Sequence, residues 1–144
     1  MNSKPCTVGL VACASQKLAY PAPARDLYVS QLFRKASAYV ELTCDTWYVL
    51  SARHGLVHPD RIIEPYDVRL TGSPAPAPVR HWAAMVRSQL EAELAGIHGV
   101  RLIVLAGKQY RAALEGSPWP IQIPMEGLGI GQQLGWLTGK LVGE

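Results

Sequence analysis

The chain has 144 residues, of which 49% are hydrophobic and 17% charged, and a formal net charge of +3. That length can bury one core without metal or disulfide staples, and the balance excludes a disordered or coiled-coil chain. The positive charge suits a phosphate-bearing partner without selecting one.

Thr7 to Ala12 (TVGLVA) is continuously apolar, the pattern of a strand buried on both faces in a parallel sheet. Ser15 to Arg25 follows with two prolines and is expected to loop over the sheet's carboxyl edge. From Leu27 to Leu42, Leu32, Phe33, Ala36, Tyr39 and Val40 recur at helical steps. Trp47 to Leu50 reads as the second strand, and a polar cluster follows it. A proline-rich linker, 73–78, leads to an amphipathic helix over about 79–95, with Trp82, Met85, Val86, Leu90 and Leu94 on its buried side. Arg101 to Ala106 is a third buried strand, Tyr110 to Leu114 a short helix, Ile121 to Ile123 a fourth strand, and 132–141 a last helix. The alternation predicts a single α/β domain over 1–144, a three-layer α/β/α sandwich with a mainly parallel four-stranded sheet. Ligands of such sheets bind at the carboxyl ends of the strands.

Cys6, Cys13 and Cys44 are widely spaced and form no CxxC pair, so neither a disulfide framework nor a zinc site is expected. His58, His81 and His98 lack ligand-like spacing, and no metal or cofactor is expected. No apolar run reaches the roughly 20 residues of a membrane span, and the N-terminus does not read as a secretory signal. A cytoplasmic location is the expectation. Gly127, Gly129 and Gly131 resemble a dinucleotide loop, but that fingerprint belongs after the first strand, so NAD binding is rejected. Gly127 and Gly129 can still offer backbone amides to an anion or a base edge, and Glu126 beside them can accept from a base or sugar hydroxyl.

The densest polar cluster is WYVLSARHGLVHPDRIIEPYDVRL, from Trp47 to Leu70. Glu64 or Asp67 near a strand end can position water or stabilise a developing cation, and Tyr66 between them can stack on a base. The plainer alternative is a turn fixed by Pro65, with Asp67 capping an amide. Ser51, Arg53 and His54 can clamp a phosphate or leaving group, His54 donating a proton near neutral pH; alternatively Arg53 pairs structurally with Glu64 or Asp67. In the first loop, Ser15, Lys17, Arg25 and Tyr28 are substrate-binding candidates, with Lys17 and Arg25 able to hold a second phosphate. Cys13 is a nucleophile only if a base such as His54 lies within reach.

LSARHGLVHPDRIIEPYDVRL resembles the strand-and-loop signature of the YaaA-type peroxide-stress proteins, and the chain from VACASQKLAYPAPARDLYVSQLFRKA to GLGIGQQLGWL is similar to a small bacterial and phage domain family related to them. Ser51, Gly55, Pro65 and Tyr66 match the shared positions most directly. The resemblance implies an architecture like that of the uracil-DNA glycosylase superfamily and work on nucleic acid or a nucleotide. YaaA-type proteins carry a basic residue where this chain has Asp67, and they are longer, with an added DNA-binding helical region; their DNA-binding mode is therefore not carried over. The expectation is a metal-independent N-glycosidase acting on a modified nucleotide or DNA. A non-catalytic nucleic-acid-binding module for stress response or phage defence and a ribosyl or deoxyribosyl transferase acting on a small nucleotide are the alternatives.

Overall fold

A computed structural model describes residues 6–68, 70 and 76–142. Strand β1 (Cys6–Ala12) is central, running parallel to β3 (Thr46–Ser51) on one side and to β6 (Val100–Leu105) on the other. Two shorter strands complete the sheet: β4 (Gly55–Val57) pairs antiparallel with β3, and β7 (Ile121–Gln122) pairs parallel with β6, giving the order β4-β3-β1-β6-β7. The sheet is thus mainly parallel, with five strands where four were expected.

The added strand has a local cause. Only Ala52, Arg53 and His54 separate β3 from β4, and Gly55 closes this short hairpin with φ +76°, a left-handed conformation that costs glycine no Cβ clash. Three residues of strand are too short for an alternating pattern to register.

Side chains alternate across the sheet and build two cores. Val8, Leu10, Tyr48, Leu50, Leu102 and Val104 face α3 (Pro76–Glu93) and a 3-10 helix (Tyr110–Leu114). Val11, Trp47, Val49 and Leu105 face α2 (Gln31–Thr43) and α4 (Ile130–Leu141). This is the three-layer arrangement expected from strands that are apolar on both faces.

Helix boundaries differ from the periodicity where capping decides them. Helix α2 starts at Gln31 because Ser30 accepts the Phe33 amide at 3.1 Å; Leu27 instead ends the one-turn helix α1 (Ala24–Leu27). Helix α3 starts inside the expected linker, with Pro76 and Pro78 in a first turn whose amides have no helical acceptor to lose; residues 73–75 lie outside those described. Met85, expected on the buried side of α3, is 39% exposed, while Trp82, Val86, Leu90 and Leu94 are buried.

Gly9 explains how closely α2 approaches β1. A Cβ at this position would stand 2.8 Å from both Cβ and Cγ1 of Val40 and 3.2 Å from Cys44 Sγ. Val40 is fully buried and β-branched, so it has little freedom to yield. Gly9→Ala is therefore expected to destabilise the fold by about 1 to 3 kcal/mol, measured as a lower urea midpoint with an unchanged slope.

Candidate functional site

The loop leaving β1 folds back on itself. Lys17 and Tyr28 form an antiparallel bridge, flanked by the bonds Leu18 N–H to Leu27 O at 2.8 Å and Val29 N–H to Gln16 O at 2.9 Å. Its outer end is tied to the segment after β4 by a two-stranded ribbon, β2 (Ala22–Pro23) with β5 (Ile62–Ile63). Arg25 strengthens this clasp by binding Glu41 and, at 2.7 Å, Asp60. The expected phosphate role of Arg25 is corrected here, since its guanidinium already serves two carboxylates.

These ties carry the EPYD segment across the sheet's carboxyl rim and place Tyr66 on a buried hydroxyl chain. Ser51 is fully buried; its Oγ accepts the amides of Arg53 at 3.2 Å and His54 at 3.0 Å, and donates to the Tyr66 hydroxyl at 2.8 Å. The Tyr66 hydroxyl lies 2.6 Å from that of Tyr28, which is also fully buried. Burial pushes the Tyr28 phenol up to about 12 and raises Tyr66 as well, so both remain neutral hydroxyls. Ser51 and Tyr28 thus hold Tyr66 from behind, and the direct substrate contacts expected of them are replaced by that support.

Tyr66 does not present a bare ring. The Lys17 ammonium sits over it, 4.4 Å from the centroid, and His54 stands perpendicular to it at 5.7 Å. Cation–π attraction fixes Lys17 at the rim, where it donates to the Ser15 carbonyl at 3.4 Å. The stacking role expected of Tyr66 gives way to one of holding Lys17.

Three hollows run along this rim. An outer one of about 470 Å³ is lined by Arg53, His54, Arg61, Glu64, Tyr66 and Asp67. A middle one of about 260 Å³ is lined by Ser15, Lys17, Asp67, Gln109 and Tyr110. An inner one of about 380 Å³ lies between β1, β6 and α2, with Glu126 and Gly127 at its edge. Asp67 and Val68 line both the outer and the middle hollow; Cys13, Ala14, Gln109 and Tyr110 line both the middle and the inner.

Glu64, Asp67, His54 and Arg53 therefore share the outer hollow. The alternative pairing of Arg53 with Glu64 or Asp67 does not form, and Asp67 caps no amide among the described residues. His54 departs from its expected role. Its pKa is lowered from 6.5, first by burial and then by the guanidiniums of Arg61 and Arg53, so at neutral pH it is an unprotonated acceptor rather than an acid.

That shift has a consequence for stability. The fold prefers the neutral imidazole, so His54 contributes fully above its unfolded value of about 6.5 and loses that contribution as pH falls through the lower folded value. Wild type should accordingly lose stability as pH falls below about 6.5, and His54→Gln should remove that part of the decline. Urea midpoints at a series of pH values test this; parallel curves for the two proteins would refute it.

Cys13 does not meet His54. Its Sγ accepts the Ala52 amide at 3.4 Å and lies 3.3 Å from the Tyr110 hydroxyl, so the pairing required for a nucleophile is absent. Gly129 is also corrected: its amide donates to Gln132 Oε1 at 3.0 Å, which caps α4, so Gly129 itself offers no N–H to an anion. Glu126 is paired with Arg111 at 3.4 Å.

Sequence reasoning overlooked Tyr110 and Gln109, which line both the middle and the inner hollow. Their position just after a parallel strand was the available signal, because every such carboxyl end faces the rim. Among the described residues no group of three or more His, Cys, Asp or Glu side chains is placed to hold a metal ion, and no helix is long and apolar enough to cross a membrane.

Comparison with known proteins places this rim within a wider set. The uncharacterized protein YfjM of Bacillus subtilis (strain 168) is 30% identical over 116 residues, covering 73% of this chain and 72% of YfjM. No solved structure matches the chain. Residues 8–139, from β1 to α4, match a family described as a family of unknown function, DUF6884, and the chain belongs to that family.

Proposed function

We propose that the protein hydrolyses the N-glycosidic bond of a nucleotide, free or within DNA, at the carboxyl rim of its sheet. The observation that carries this reading is the position of Asp67 between two hollows of different chemistry. On the outer side Arg53 and Arg61 supply forked donors suited to a phosphate. On the other side the hollow leads toward an apolar interior suited to a base. A sugar spanning the two would bring its C1′ to Asp67.

In this mechanism the C1′–N bond breaks with its electron pair on the base, which takes a proton from solvent. Asp67, a carboxylate with no ion pair to a described residue, stabilises the oxocarbenium-like sugar. A water oxygen bonds to C1′ and passes its proton to the neutral imidazole of His54, which lines the same hollow. Glu64 orients that water, and Lys17 adds positive charge on the middle side.

The test is to incubate the protein with a panel of nucleotides and modified DNAs and to look for liberated base by mass. Asp67→Asn should lower turnover about 100-fold or more, with a smaller loss for Glu64→Gln. Unchanged turnover in both variants would end the carboxylate mechanism. Arg53 and Arg61 on one hollow also suit a non-catalytic module that grips nucleic-acid backbone. Such a module would bind with a steep salt dependence and release no base, whereas transfer to a free acceptor base would identify a transferase.

A further inference from the structure

The inner hollow has a composition unlike the other two. Val11, Phe33, Leu105 and Met125 give it an apolar wall, and Gln109, Arg111 and Glu126 add polar groups. Its 380 Å³ is in the range of small-molecule pockets, which combine apolar walls with a few placed donors and acceptors.

Arg111 supplies the distinctive detail. Its Nη1 lies 3.4 Å from Glu126 Oε2, and the rest of the guanidinium has no hydrogen-bond partner among the described residues. Beside that guanidinium is the Glu126 carboxylate, an acceptor with lone pairs to spare. Arg111 and Glu126 together offer a donor beside an acceptor, both charged, at the edge of an apolar pocket. Gln133 does not compete for them: its Nε2 donates to the Leu128 carbonyl at 2.8 Å.

We infer that the inner hollow binds a planar heterocycle carrying a hydrogen-bond acceptor next to a donor, the edge chemistry of a nucleobase, and that Arg111 and Glu126 select it. A flat ring packs on the apolar wall, its acceptor takes an N–H from the Arg111 guanidinium edge that lines the hollow, and its neighbouring N–H donates to Glu126. This rests on the proposed nucleotide reading for the identity of the ring, but not for the pocket's chemistry. Because the scissile bond is made to the ring itself, the ring would lie with its glycosidic nitrogen in the middle hollow and its far edge at Arg111 and Glu126, past Cys13 and Tyr110, which line both hollows.

Cys13 on the shared wall reports occupancy independently of turnover. In a Cys6→Ser/Cys44→Ser background, the alkylation rate of Cys13 by iodoacetamide is measured with free guanine, hypoxanthine, adenine or uracil, and affinity for the same bases by calorimetry. N-methylindole, flat but without the donor–acceptor edge, is the control. At least one base should bind and slow alkylation of Cys13, and N-methylindole should bind about tenfold more weakly or not at all. Arg111→Gln and Glu126→Gln, both at partly exposed positions, should each weaken the base by about tenfold or more and leave the urea midpoint close to wild type.

No protection by any base, or affinity unchanged in both variants, overturns the inference. The two readings fail separately. Base binding with protection but no glycosidic turnover leaves the pocket standing and removes the hydrolase; turnover whose KM is indifferent to Arg111→Gln and Glu126→Gln does the reverse.

Discussion

Ser51→Ala should cost about 2 to 3 kcal/mol of stability and disorganise the rim at the same time. One hydroxyl holds together three parts of the chain that are distant in function. It accepts two successive amides of the β3–β4 turn, so both its lone pairs are used, and its only proton goes to Tyr66. Removing it strands two N–H groups and takes one of the two bonds from the Tyr66 hydroxyl, which keeps Tyr28. No water can replace the oxygen without new space, because the residue is fully buried and alanine leaves room only for the lost atom. Ser51→Thr separates the effects: it restores the hydroxyl and adds a methyl group to a packed site. Urea unfolding of the three proteins reads the energetic cost. The loss of order at the rim reads out as faster alkylation of Cys13, whose Sγ holds the amide of the next residue, Ala52. A cost below about 0.5 kcal/mol would mean that the turn amides have found solvent and that Ser51 is not the hub.

Much of the fold follows from patterns that physical chemistry makes visible at the level of residues. TVGLVA and RLIVLA have no polar face and so must lie inside a sheet covered on both sides; the helices between them repeat at the spacing that packs one face. What escaped was short or capped. Gly55–Val57 is a strand because one glycine closes a hairpin, not because its residues alternate. The start of α2 depends on Ser30 accepting an amide rather than on the apolar stripe that extends past it.

The candidate site was legible as a location and much less so as a set of roles. Glu64, Asp67, Arg53 and His54 share one hollow because the chain around Pro65 is held in place by the β2–β5 ribbon, a long-range pairing that no local pattern signals. The same ribbon engages Arg25, which sequence could only describe as a cation following a loop. Tyr66 looked like a stacking surface because an isolated EPYD shows only residue types. The lysine over its ring arrives from 49 positions earlier in the chain, by way of the Lys17–Tyr28 bridge. Titration was equally hidden: His54 is neutral because of burial and of Arg61, seven residues on, neither of which composition reveals.

Trp82→Ala should produce the largest loss of stability of any change proposed, about 3 to 5 kcal/mol. The side chain is nearly buried in the core between the sheet and α3. Its indole N–H donates to the Ser51 carbonyl at 2.7 Å, and its ring meets Tyr110 edge-on at 5.4 Å and 90°. Those two contacts fall on opposite sides of the functional rim: the carbonyl belongs to the last residue of β3, and the tyrosine follows β6. Trp82 therefore fixes from beneath the spacing between Tyr110 and the turn that carries His54. Trp82→Phe keeps most of the ring and loses only the indole donor, so it should cost about 1 to 2 kcal/mol and preserve the tyrosine contact. If packing against Tyr110 is what keeps the inner and middle hollows apart, Trp82→Ala should change Cys13 alkylation and Trp82→Phe should not, with both assayed well below their unfolding midpoints. Equal alkylation in the two variants would show that Tyr110 is held by its bond to Cys13 alone, and that the wall between the hollows stands independently of α3.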